Sequence, residues 1–164
     1  MEIKTVSSRM YSLVSLYDIH TKYFSNVLEG ITDEDAHKRM DTKANHIAWI
    51  AGSLVYERYD MAKMFGSELK FGAYELFRDF KGIQDNTTYP TLSDYKKEWE
   101  TITPVLRNLL CNIDDAKLDS VFEMPEMKMT YYEMLTYLAH REAYCIGQIG
   151  LWRRLLGYGA MKYS

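Results

Sequence analysis

Cysteine, proline and glycine are scarce in this chain of 164 residues, at two, three and nine copies. Two cysteines are too few for a disulfide scaffold, and their separation matches no zinc-ribbon spacing, so free thiols in a reducing compartment are expected. No apolar stretch approaches the roughly 20 residues of a membrane span, and the opening Met-Glu-Ile-Lys has neither the apolar region nor the cleavage site of a signal peptide. The cytoplasm is the expected location, with no membrane partner. Neither sign of charge dominates: 20 basic and 23 acidic side chains leave a formal charge of −3. That balance gives no pull toward phosphate backbones, and nucleic acid is not expected as a partner, Arg153 and Arg154 notwithstanding. What is present is 47% hydrophobic residues against 26% charged, the balance of one folded domain covering residues 1–164.

With few breakers, the chain reads by its 3.6-residue apolar period, which predicts four long helices. The first spans Ile3 to Leu28, with Val6, Met10, Leu13, Tyr17, Phe24 and Leu28 on one stripe and Gly30 as a left-handed cap. The second starts near Ala44 and stops before Gly66. Thr32 to Lys38, between them, has the composition of one capped turn. Residues 67–90 form a long connection whose Phe71, Tyr74, Phe77 and Phe80 supply aromatic area to pack on the helices. Thr91 with Asp94 starts a third helix through Ile113, with a kink expected at Pro104. Thr130 with Glu133 starts the fourth, which runs to Gly157. Four amphipathic helices with one long crossover predict an all-α four-helix bundle.

Several polar residues fall on stripes that should be buried. On the fourth helix, Arg141 occupies a core position between Leu138 and Cys145. A guanidinium stays charged, so a buried one needs a carboxylate or several carbonyls around it. Glu57 on the second helix is such a partner; the alternative is an Arg141 that snorkels to solvent over its own methylenes. If the second and fourth helices are neighbours, Ser53, Glu57, Arg141 and Cys145 line one interior pocket, with His20 entering from the first helix and His46 lying two turns before Ser53. A guanidinium beside Cys145 would favour a thiolate, although a nucleophile also needs a base and an oxyanion site.

The segments AWIAGSLVYERYDMAKMFG, YPTLSDYKKEWE and EMLTYLAHREAYCIGQIGLWRRLLG, in this order and spacing, resemble the DinB-like (YfiT-like) superfamily of DNA-damage-inducible four-helix-bundle proteins. The most specific parts are Ala48 to Gly52 and Ala143 to Ile149. The resemblance implies a bundle of that type with adjacent second and fourth helices, frequent homodimers, and a divalent metal held by three histidines. The matching positions here are Ser53, Arg141 and Cys145. His140 lies one residue early and points away from that face. Hydroxyl and guanidinium are unsuited to zinc or nickel, so no metal and no cofactor are expected, and Arg141 stands where the family holds its cation. Two functions follow as expectations: a metal-free protein that binds a small polar or anionic ligand or serves in a stress response, or a divergent metal-dependent hydrolase or thiol-dependent transferase using the same pocket.

Overall fold

The structure, a computed structural model, describes residues 3–125 and 127–163. The class is all-α, built on four long helices: α1 (Met10–Val27), α3 (Ile47–Met64), α4 (Leu92–Cys111) and α6 (Tyr131–Leu155). Two short helices, α2 (Asp33–Ala36) and α5 (Asp115–Asp119), and a hairpin of β1 (Val121–Met124) and β2 (Met127–Thr130) fill the connections. The hairpin and α5 are additions to the expected all-helical pattern.

Helix starts follow local chemistry. Thr91 and Thr130 each accept from the backbone N–H three residues on, and Asp94 and Glu133 reciprocate, forming the two expected capping boxes. Thr32 caps α2 through Asp35 N. Gly30 and Gly157 take the left-handed conformation just past α1 and α6, at φ +74° and +88°.

Two starts come later than the sequence suggests. The first helix begins at Met10, not Ile3, because Val6 N donates to Cys111 O and the Ser7 hydroxyl donates to Asp115, tying this segment to the end of α4. Val6 is consequently exposed. The second long helix begins at Ile47, not Ala44, with His46 as its cap. Helix α4 runs unbroken through Pro104, where the proline and Glu100, whose carbonyl loses its usual donor, both face solvent.

Cross-helix contacts fix the directions. Trp99 Nε1 donates to Thr21 O while Val6 bonds Cys111, so α1 and α4 are antiparallel. His20 meets Glu142 and Val27 meets Arg153, so α1 and α6 are parallel. Arg58 meets Glu142 while Phe65 lies against Tyr131, so α3 opposes α6. Gly52 faces Tyr95 and Arg58 reaches Thr103, so α3 and α4 run the same way. This arrangement needs the long connection to traverse the bundle, and it does so as a packed layer: Phe71, Phe77 and Tyr89 are buried, whereas Phe80 is exposed. A Cβ at Gly52 would stand 2.4 Å from the Phe77 ring and 2.5 Å from the Tyr95 hydroxyl. Here the missing side chain is what lets the crossover and α4 approach α3.

Candidate functional site

Helices α3 and α6 meet through two charge doublets. Glu57-Arg58 on α3 faces Arg141-Glu142 on α6, and each acid pairs with a base of the other helix. The inner pair is the more buried: Arg58 is 1% exposed and Glu142 7%. Arg58 Nε donates to Glu142 Oε1 at 2.6 Å, and Nη1 donates to the hydroxyls of Thr21 and Thr103, both at 2.9 Å. The guanidinium carbon sits 3.4 Å from the Trp99 ring centre and 3.9 Å from that of Tyr17. Trp99 in turn stacks on Phe24 at 3.9 Å, giving a layered stack of Phe24, Trp99, Arg58 and Tyr17 through the middle of the bundle. Desolvated cation–π contacts of this kind contribute up to about 2 kcal/mol or more.

His20 completes the inner cluster, with Nδ1 3.0 Å from Glu142 Oε2. An ionised Glu142 accepts on both oxygens, so His20 presents its proton on Nδ1. Burial pushes the Glu142 carboxyl up, but Arg58 and His20 outweigh it and the net displacement is downward. This acid is ionised and structural.

The outer pair differs. Arg141 Nη1 lies 2.7 Å from Glu57 Oε1, with the side chains 28% and 15% exposed. The approach is an ion-pair contact rather than an aligned hydrogen bond, and Nη1 has no hydrogen-bond partner. Burial pushes Glu57 up to about 7, against the opposing pull of Arg141. It therefore exchanges a proton near neutrality, as the inner acid does not. Cys145 is buried beside this pair, and its thiol is pushed up by burial more than Arg141 lowers it. The thiolate that the neighbouring guanidinium suggested does not form; this is a protonated thiol lacking nucleophilic activation.

The other predicted pocket residues take separate roles. Ser53 is buried and donates to Ile50 O in its own helix. His20 joins the pocket region through Glu142, not through Glu57 or Arg141. His46 does not join it: its Nδ1 accepts from Trp49 N at the start of α3, and its ring lies 5.2 Å from those of His37 and Tyr89. Burial, with His37 adding to it, pushes His46 down to about 4 and keeps it neutral for that cap. Helix rise puts it about 16 Å along α3 from Glu57.

A cavity of about 30 Å³ lies between α1, α3 and α6, bounded by Tyr17, Met61, Leu135 and the two carboxylates. It has room for about two waters and two polar groups to hold them. Of the residues expected to line one interior pocket, only Glu57 borders this cavity; Ser53, Arg141, Cys145, His20 and His46 do not. Among the described residues, no three His, Cys, Asp or Glu side chains are placed to hold a metal ion. With a hydroxyl turned to its own backbone, a guanidinium and a protonated thiol, Ser53, Arg141 and Cys145 do not suit a divalent cation.

The inner cluster went unread in the sequence. Its signal is the pair of adjacent doublets, Glu-Arg and Arg-Glu, at the same depth on two facing helices. Among described residues no helix is long and apolar enough to cross a membrane. No family model and no curated protein matches the chain.

Proposed function

We propose that this protein is a metal-free relative of the DinB-like superfamily whose α3–α6 site binds a small anion on Arg141. The resemblance in sequence supports the family, and the site's chemistry supports the loss of metal: Arg141 brings a fixed positive charge to the histidine-equivalent face, with no Lewis acidity. The observation that carries the ligand is the state of that guanidinium. Its side chain is partly open, Glu57 is its close partner, and among the described residues Nη1 has no well-aligned hydrogen-bond acceptor. A carboxylate, phosphate or sulfonate would supply the bidentate acceptors that a guanidinium fork prefers.

Glu57 sets the conditions for binding. An incoming anion raises the carboxyl further, so binding takes up a proton and strengthens as pH falls through about 7. Calorimetric titration with inorganic phosphate and with acetate, at pH 6 and pH 8, tests the proposal. Binding is expected to be tighter at pH 6 and to weaken about 10- to 100-fold in Arg141→Met, the worth of one charge-assisted hydrogen-bonding group. Equal affinity in wild type and variant would overturn it. The buried, protonated Cys145 leaves a thiol-transferase reading without its nucleophile.

The homodimer implied by the resemblance is part of the same proposal. Leu16 and Ile19 of α1 and Tyr144, Leu151 and Leu155 of α6 are exposed apolar residues on neighbouring helices, and sedimentation of wild type against Leu151→Glu tests their pairing.

A further inference from the structure

The hairpin before α6 has a composition its packing does not require. In the stretch from Val121 to Thr130 three residues are methionine, spaced Met-x-x-Met-x-Met at Met124, Met127 and Met129. The register places Met124 opposite Met127 and Phe122 opposite Met129. Side chains two apart on a strand share a face, as do directly opposed ones. All three thioethers and the Phe122 ring therefore lie on one face, and Glu123 and Lys128, also mutually opposed, lie on the other. Phe122 and Met129 pack against the bundle and Phe122 meets Tyr131 edge-on at 5.5 Å. Met127 is 46% exposed and Met124 half-buried. The cluster is thus anchored at one end and open at its tip.

We propose that Met124, Met127 and Met129 form a surface site for a soft monovalent ion, Cu(I). Thioether sulfur is a neutral, polarisable donor that selects Cu(I) over the harder divalent ions that imidazole and carboxylate hold. Three sulfurs around one ion, at metal–sulfur bonds of about 2.3 Å, stand about 4 Å apart. That separation suits opposed and next-but-one positions of a hairpin, whose side chains start about 5 to 7 Å apart and, for methionine, turn about three bonds. The site is independent of the Arg141 pocket, from which helix rise separates Tyr131 by about 15 Å along α6. Because a thioether carries no proton, binding is independent of pH, unlike binding at cysteine or histidine.

The test uses the full chain with Cys111→Ser, which removes the half-buried thiol that competes for soft metals. This protein is titrated with Ag(I), a redox-inert stand-in, and anaerobically with Cu(I) held by bicinchoninate, while the methionine methyl resonances are followed. One equivalent is expected to bind, with equal affinity at pH 6 and pH 8. The methyl signals of Met124, Met127 and Met129 should move together while exposed Met40 and core Met10 stay. Combined Met124→Leu, Met127→Leu and Met129→Leu should weaken binding about tenfold or more, with helical circular dichroism retained. Absence of saturable binding, shifts centred on Met40 or around Cys145, or an affinity unchanged by the triple substitution would overturn the proposal. Were the triple variant to lose its fold, the methyl shifts of the intact hairpin would decide.

Discussion

Replacing Arg58 by Met is the most searching perturbation of the buried cluster. The substitution keeps an unbranched side chain between the Tyr17 and Trp99 rings but removes the cation that Glu142 and the two threonine hydroxyls share. Glu142 remains 7% exposed with His20 as its one partner. Breaking a buried pair from one side costs about 3–5 kcal/mol, because the surviving charge is left without compensation. Lost cation–π stacking falls within that range. For a domain of this size each kcal/mol shifts the melting temperature by roughly 2–4 °C, so a fall of about 6–20 °C is expected. The double variant Arg58→Met with Glu142→Leu removes both charges and should recover to within about 1 kcal/mol of wild type. Urea unfolding of the four proteins of this cycle gives the coupling directly. A single-variant loss below about 1 kcal/mol, or a double variant no better than the single, would refute the argument that the charges hold each other in place.

Glu57 predicts a pH dependence of opposite sense to an ordinary ion-paired acid. Its folded value of about 7 lies above the ordinary 4.5, so the folded state binds the proton more tightly, and stability falls as pH rises from about 4.5 to about 7. The group's full contribution is roughly 3 kcal/mol, and Glu57→Gln should flatten the profile of urea midpoints across that window. An unchanged profile would contradict the assignment. Cys145 should resist thiol reagents at neutral pH until the protein unfolds, and rapid labelling there in the native state would show an open or activated thiol. Gly52→Ala should destabilise by about 1–3 kcal/mol in spite of alanine's helix propensity, since its Cβ meets Phe77 and Tyr95; a more stable variant would mean the crossover layer is not seated as described.

The long helices were legible because their signals are local. Thr91 with Asp94, Thr130 with Glu133, and the glycines at positions 30 and 157 each settle a boundary through a single cap. The first helix reads as starting too early because Val6 extends the apolar period of Met10 and Leu13, while the competing ties, Val6 to Cys111 and Ser7 to Asp115, join residues more than 100 positions apart. The pairing of Arg141 with Glu57 was legible because both interrupt apolar stripes. The deeper pair was not, since Arg58 and Glu142 sit one residue beyond those stripes and look like solvated neighbours. Their burial depends on the rings of Tyr17 and Trp99, which period alone assigns to ordinary core. His46 misled for a related reason: on the helical wheel it nearly eclipses Ser53, but it caps the helix rather than facing the pocket.

Elemental analysis of protein purified without chelator bears most directly on the central claim, that a guanidinium and not a metal ion supplies the positive charge between α3 and α6. No zinc, nickel, iron or manganese is expected near one atom per chain, in the wild type and in the hairpin Met→Leu variant alike. Any of these metals at one atom per chain, retained in the hairpin variant and lost in Cys145→Ala, would contradict it.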